Sequence, residues 1–361
     1  MKSLDELRKQ IDEIDEKIVD LFERRMDCAE EVGRYKLKNG IPVLDSGRED
    51  QLLEKRLELV KDKRLDGDVS RLFRLLMSMS RARQTEIMRE GAVVAYQGEA
   101  GANSEAALFN YFGKTAKAQS YRNFKDVFAA VVEGKASYGV LPIENSSTGG
   151  VYDVYDLLLT HEVYVCGEVK LKIEHCLLGT EDANIKDIKE VYSHEQALKQ
   201  CSRYLEKLGA KLYPDHNTAI SAKYVSELGD SSRAAVAGRH AADIYGLKIL
   251  AEDINESSDN TTRFIIISAL PYEGGDADKA SVCFSLEHRS GALAAVLNLF
   301  AGSGLNMVKI ESRPLKSRNF EYSFYIDFEG EGIERIKELL QRNFTLFSGY
   351  RFLGAYRRAK A

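Results

Sequence analysis

The stretch Tyr138-Gly-Val-Leu-Pro142-Ile143-Glu144-Asn145-Ser146-Ser147-Thr148-Gly149-Gly150 decides how the middle of the chain folds. Its apolar first half predicts a short strand; its polar, glycine-bearing second half is a junction from which the next helix runs to Leu159. Similar units lie on both sides. A strand at 92–96 ends in Gln97-Gly98-Glu99-Ala100-Gly101 and leads to a helix at 104–112. Further helices are read at 127–132, 195–208, 219–228 and 239–245, with strand ends at 191–193 and 234–237. Strands alternating with helices predict an α/β sheet.

Upstream the pattern changes. Of the first 90 residues 41 are charged and four are glycine, and beyond residue 90 the charged fraction roughly halves. Leu4, Leu7, Ile11, Ile14, Ile18 and Leu21 recur at spacings of three and four, and Cys28, Val32 and Tyr35 keep the phase, which predicts one helix over 4–38. Two more are read at 49–60 and 69–90, parted by Asp66-Gly67-Asp68. A helix of that first length spans about 50 Å, twice the extent of a compact 90-residue globule, so its apolar stripe needs a partner. The same helix of a second copy is the expected one, giving a homodimer or a dimer of dimers.

Downstream of the polar linker 271–278, strands at 280–286, 305–312, 320–328 and 350–356 and helices at 291–301 and 332–342 give the order βαββαβ of ferredoxin-like domains. The predicted fold is multidomain: an all-helical domain (1–90), an α/β domain (91–270) and a ferredoxin-like α+β domain (279–361).

Composition excludes several functions. The 361 residues are 44% hydrophobic with a net charge of −5, which gives no electrostatic reason to expect nucleic acid. No apolar run is long enough for a membrane span, and the charged start lacks the apolar core of a secretory signal. The five cysteines form no CxxC, so a reducing cytoplasm is the expected location. Six scattered histidines lack zinc spacing, and neither a Walker A loop nor GxGxxG is present, so no metal or nucleotide cofactor is expected. Three α/β junctions, around Ser104, Ser146 and Ser193, carry small hydroxyl residues at helix starts; these are either plain caps or anion sites built on N–H groups. In the helical region, Arg8, Arg24, Arg25 and Lys36 with Asp45, Arg48, Glu49, Ser80 and Gln84 suit a small dianion held by guanidinium, ammonium and amide.

At this point three resemblances can be stated. Leu7-Arg8, Glu23-Arg24-Arg25, Val32-Gly33-Arg34-Tyr35-Lys36, Asp45-Ser46-Gly47-Arg48-Glu49 and Ser80…Gln84 resemble the all-helical, intertwined dimeric chorismate mutases. The resemblance implies rearrangement of chorismate to prephenate. Arg8 (from the partner protomer), Arg24 and Arg48 would bind carboxylates, Lys36 and Gln84 would face the ether oxygen, Glu49 and Asp45 would hold the hydroxyl side, and Ser80 would line the pocket.

Ala95-Tyr96-Gln97-Gly98, Pro142-Ile143-Glu144-Asn145-Ser146, His175-Cys176, Ser193-His194-Glu195-Gln196 and Asn260-Thr261-Thr262-Arg263-Phe264 resemble prephenate dehydratase, which implies two α/β subdomains around a cleft, similar to periplasmic binding proteins. Here the resemblance implies cofactor-free conversion of prephenate to phenylpyruvate, with Thr262 as the central hydroxyl and Ser104, Asn145, Ser146, Ser193 and Gln196 as substrate contacts. Glu144 is the nearby carboxyl whose pKa burial could raise into a useful range. Arg263 pairs either with Glu144 or with a substrate carboxylate. Two alternatives stand beside this reading: the domain acts on arogenate, or it binds a ligand without turnover.

Gly291-Ala292-Leu293 and Glu311-Ser312-Arg313-Pro314 resemble the ACT domain attached to prephenate dehydratases. That implies an effector site for phenylalanine at a domain–domain interface.

Overall fold

A computed structural model of the protein describes residues 2–39, 41, 43, 46–257, 259–272, 276–314, 322–330, 332–333 and 335–359. The described chain divides into two compact units. One is essentially 1–91, and the other holds 92–272 and 277–361.

The first unit is helical: α1 (Leu4–Asn39), α2 (Ser46–Glu58) and α3 (Asp66–Arg89). Asp66-Gly67-Asp68 forms the first turn of α3 rather than a break before it. Two carboxylates favour the positive end of a helix dipole, and a glycine costs least near a helix end. The C-terminal half of α1 packs on α3 and buries Ala29 and Gly33, whereas Leu4, Ile11, Ile14 and Ile18 are all more than half exposed.

The second unit holds three sheets. In the first, β1 (Val93–Gln97), β2 (Lys117–Tyr121) and β3 (Tyr138–Asn145) are parallel. The two-residue β4 (Gly149–Gly150) pairs with β3, and β5 (Tyr164–Lys172) is an edge. Helices α4 (Asn103–Phe112), α5 (Phe124–Val132) and α6 (Tyr152–Thr160) pack on this sheet. The chain then crosses to a second sheet of β6 (His175–Gly179), β7 (Glu190–His194), β8 (Lys211–Asp215), β9 (Arg233–Gly238) and β10 (Lys248–Ala251), in the order β10-β6-β9-β7-β8. Its helices are α7 (Glu195–Gln200), α8 (Ser202–Leu208), α9 (Thr218–Leu228) and α10 (Arg239–Tyr245). The single helix read at 195–208 is therefore two, parted at the buried Cys201. The chain returns to the first sheet as β11 (Thr261–Ser268), which inserts antiparallel between β3 and β5. The two crossings are bonded to each other: Ile173 N–H donates to Asn260 C=O (2.7 Å).

The third sheet comprises β12 (Lys279–Ser285), β13 (Asn306–Pro314), β14 (Tyr322–Glu329) and β15 (Gly349–Tyr356), ordered β13-β14-β12-β15, with α11 (Ala292–Ala301) and α12 (Arg335–Arg342). The sequence separates this segment from 91–270, yet Cys283, Tyr325, Leu353 and Tyr356 share one core with Val127, Leu141 and Ile265 of the first sheet. Gly354 makes that approach possible. A Cβ there would lie 2.2 Å from the carbonyl oxygen of Val165.

Candidate functional site

Register and pleat build the cleft. Thr262 of β11 lies opposite Asn145 of β3, and Arg263 opposite Glu144. Successive side chains of a strand point to opposite faces, so Thr262 and Asn145 face one way and Arg263 and Glu144 the other. The first pair lines a cavity of about 250 Å³ between the first and second sheets. Asn103 and Ser104 at the start of α4, Gln196 of α7 and Thr218 at the start of α9 line it too. Asn217 caps α9 by accepting the N–H of Ile220 (2.7 Å).

Two backbone donors fix Asn145. Its Oδ1 accepts the N–H groups of Ser147 (2.9 Å) and Thr148 (3.2 Å), so its amide N–H₂ must point the other way. That group donates to Thr262 Oγ1 (2.9 Å) and to Asn260 Oδ1 (2.7 Å). Thr262 Oγ1 accepts this hydrogen bond, and its own O–H is left to donate into the cavity that it lines.

Apart from the imidazoles of His175 and His194, the described lining carries no titratable side chain. Burial pushes the pKa of His175 down, against a smaller upward pull from Gln200, which favours the neutral ring. Recognition of an anion therefore rests on amides, hydroxyls and the N-termini of α4 and α9.

Four expected cleft residues lie elsewhere. Glu144 and Arg263 sit on the opposite face of the sheet, against the third sheet. There Arg263 Nε meets Glu144 (2.5 Å), while its terminal nitrogens meet Glu168 (2.9 Å) and Asp327 (2.8 Å). Lys309 pairs with Glu144, and Lys279 bridges Glu168 (3.0 Å) and Glu329 (3.2 Å). Burial raises the pKa of Glu144, but Arg263 and Lys309 outweigh it and hold the carboxyl below its usual value. Glu144 is ionised, not the raised carboxyl acid expected from sequence. Burial opposes the charge of Arg263, and Asp327 foremost holds it protonated. Ser193 is fully buried and donates to Val236 C=O (2.6 Å); pleat alternation sends it into the core and its neighbour His194 into the cleft. Ser146 donates to Asp259 C=O (2.9 Å) and accepts from Thr261 N–H (3.0 Å), pinning the junction outside the cavity lining.

In the helical unit Ser80 and Gln84 are buried on α3. Arg25 donates to Ser80 Oγ (2.5 Å) and Leu76 C=O (2.8 Å). Gln84 Oε1 is buried without a hydrogen-bond partner among the described residues. Lys36 donates to Val43 C=O (2.5 Å), and Glu49 pairs with Arg81 (2.5 Å). Arg8 and Arg24 are exposed, beside Asp5 (3.8 Å) and Asp20 (3.7 Å). Arg48 lies in the first turn of α2, and Asp45 lies outside the described residues.

In the third sheet, Gly291 adopts φ +79° before α11, a conformation that costs any residue with a Cβ. Ala292 and Leu293 line a hollow of about 160 Å³ with Tyr322 and Phe324. Ser312 and Pro314 pair in register with Phe324 and Tyr322. Glu311 lies near Gly150, and Arg313 reaches Asp156 of α6 (3.2 Å).

Sequence reasoning left Asn103, His175, His194, Gln200, Asn217 and Asn260 out of the cleft. Asn103, His175, His194 and Asn260 stand inside or beside the motifs quoted above; Gln200 and Asn217 carry no local signal.

Two separate polar sites on two compact units define a bifunctional enzyme. Residues 7–85 match the family model chorismate mutase type II, and 94–271 match prephenate dehydratase. The chain is 35% identical over 365 residues to the bifunctional chorismate mutase/prephenate dehydratase of Stutzerimonas stutzeri, covering 98% of this chain and 97% of the relative. It is 40% identical over 275 residues to arogenate dehydratase/prephenate dehydratase 2 of Arabidopsis thaliana, covering 73% and 72%. The solved prephenate dehydratase of Arthrobacter aurescens in complex with L-Phe superposes with a TM-score of 0.67 at 32% identity, over 74% of this chain and 90% of that one. The chain belongs to the bifunctional chorismate mutase/prephenate dehydratase family, and it carries the isomerase and lyase activities of phenylalanine biosynthesis that define it.

Proposed function

We propose that the helical unit rearranges chorismate to prephenate and that the cleft turns prephenate into phenylpyruvate, each through the side chains described above. In the cleft the carbon–carbon bond to the ring carboxylate breaks and CO2 leaves. Its electron pair enters the ring, the ring carbon–oxygen bond breaks, and the departing hydroxyl takes one proton to leave as water. Aromatisation drives the step. Thr262 donates a hydrogen bond to the departing oxygen and relays to it a proton drawn from solvent water in the cleft, which restores the hydroxyl. Asn103, Ser104, Gln196 and the helix N-termini hold the carboxylates. The single observation that carries this reading is the bond from Asn145 to Thr262, which occupies Oγ1 as an acceptor and leaves its O–H to donate into the cavity.

In the helical unit, Arg24, Arg48 and the partner's Arg8 bind the two carboxylates, while Lys36 and Gln84 stabilise the charge that grows on the ether oxygen as its bond to carbon breaks. Arg8 lies 17 residues before Arg25, about 26 Å along α1, too far to share a site with its own chain's Ser80. This supports a homodimer in which α1 lends Arg8 to the partner.

Three domains carry these roles: 1–90, 91–270 and an ACT domain at 279–361 of ferredoxin-like topology. The hollow beside Ala292 and Leu293 binds phenylalanine, which inhibits by favouring one state of the enzyme over the other. A likeness to an L-Phe complex supports that role. The 40% identity to an arogenate dehydratase/prephenate dehydratase favours a second reading, in which the cleft also accepts arogenate.

The test follows chorismate through both products. Wild type should form prephenate and then phenylpyruvate. Thr262→Ala should stop at prephenate, with phenylpyruvate formation reduced at least about a hundredfold. Phenylpyruvate formed at the wild-type rate would overturn the role of that hydroxyl.

A further inference from the structure

The donor directions fixed at Asn145 continue into the second lobe. Ser147 and Thr148 N–H groups can only donate, so Asn145 must present oxygen to them and N–H₂ to Asn260. Asn260 must therefore meet Asn145 with its oxygen, which sends its own N–H₂ to Gln200 Oε1 (3.2 Å). Gln200 must offer oxygen there. The same oxygen faces His175 Nε2 at 3.0 Å, so that nitrogen carries the proton. Every polarity from Thr262 to His175 is settled by two backbone amides, with no freedom left to flip an amide or change the tautomer. Gln200 is the last residue of α7 and His175 the first of β6, both in the second lobe, whereas Thr262 and Asn145 belong to the first sheet. Asn260 stands where the chain crosses between them.

We propose that Gln200 and His175 are positioning residues for the dehydratase step: through Asn260 and Asn145 they hold the Thr262 hydroxyl with its proton toward the substrate. The inference rests on the reading of Thr262 as the proton-donating group. Its physical basis is a buried donor that, among the described residues, only Gln200 satisfies. Without an acceptor at Gln200 Oε1, the N–H₂ of Asn260, which is 2% exposed, is left unpaired and the side chain shifts toward another acceptor. Asn260 Oδ1 then leaves Asn145, whose amide is no longer held against Thr262 Oγ1. The chain makes the far lobe part of the catalytic geometry although Gln200 touches no atom of Thr262. The neutral state of His175 that burial favours is in keeping with an imidazole used only as a donor at Nε2.

The experiment uses the full-length enzyme and steady-state kinetics on prephenate. Chorismate turnover by the other unit standardises the active concentration, and thermal melting reports folding. Gln200→Leu removes the acceptor; Gln200→Glu keeps an oxygen in its place. Gln200→Leu is expected to lower the dehydratase kcat by about ten- to a hundredfold with KM within about threefold, and Gln200→Glu to restore kcat to within about threefold of wild type. In a Thr262→Ala background, Gln200→Leu should cost less than about twofold, because the residue through which it acts is gone. A wild-type kcat in Gln200→Leu overturns the proposal. So does an equal loss in both backgrounds, which would mark a purely structural part for Gln200. Failure of the underlying reading shows separately, as wild-type turnover by Thr262→Ala alone.

Discussion

Glu144 lies next to Asn145 on β3 and yet faces away from the cleft. A carboxyl acid works only while protonated, so turnover would fall as the pH rose through its pKa. Arg263 and Lys309 hold this one below the ordinary carboxylate range, so it is ionised near neutral pH. Its contacts tie the back of β3 and β11 to Lys309 of the third sheet, while Asn145 and Thr262 face the cleft. Glu144→Gln should therefore lower kcat through the loosened sheet and leave the shape of the pH–rate profile for prephenate unchanged between pH 5 and 8. Loss of an alkaline limb in the variant would restore the carboxyl to the acid role. The sequence joins Glu144 to Asn145 and Thr262 to Arg263 and invites one constellation of four. The period of two in a strand splits them, and neither motif says which face looks into the cleft. Ser193 and His194 are exchanged for the same reason. Gln200 and Asn217 stayed hidden because their roles exist only across the gap between lobes.

Elements were legible in proportion to their periodicity. The three N-terminal helices show a 3.6-residue pattern because each carries a single apolar stripe. By contrast, β8 is an edge whose residues are exposed or half-buried, and it carries no alternation. Strand β5 hides Glu168 among apolar residues, a charge that makes sense only once Arg263 and Lys279 arrive from β11 and β12. Where α1 crosses α3 the deciding residue is Gly33. A Cβ there would stand 3.1 Å from Gln84 Cα, a backbone atom that cannot swing aside. Alanine gains about 1 kcal/mol in helix propensity and loses a comparable amount to overpacking. Gly33→Val adds a branched side chain at the same contact. It should cost about 2–3 kcal/mol of stability in chemical denaturation of this unit and shift Gln84 off its position. Chorismate turnover should fall more than tenfold while dehydration of supplied prephenate stays within about twofold. Equal turnover by Gly33→Val would show that the helices part without harm to the site.

For the whole molecule the open question is what covers α1. Its 36 residues span about 54 Å, but only the C-terminal half leans on α3. Leu4, Leu7, Ile11, Ile14, Ile18 and Leu21 repeat along the first half and are all exposed. Six apolar side chains in one stripe, each worth about 1.5–3 kcal/mol on full burial, make an isolated copy costly in water. A second α1 running antiparallel would supply a matching stripe, and the partner's Arg8 would then arrive near Ser80 and Gln84 from the far end. In that proposal burial and catalysis depend on the same contact. Placing Glu at 11, 14 and 18 together (I11E, I14E and I18E) sets like charges along that stripe at the seam. The triple variant should run as a smaller species in sedimentation and lose chorismate turnover by more than a hundredfold. Supplied prephenate should still be dehydrated within about threefold of wild type, since the described lining of the cleft lies wholly in the second unit. Loss of both activities together would tie the cleft to the same assembly. Retained chorismate turnover in a monomer would end the case for a shared site, because Arg8 would then have no partner to serve.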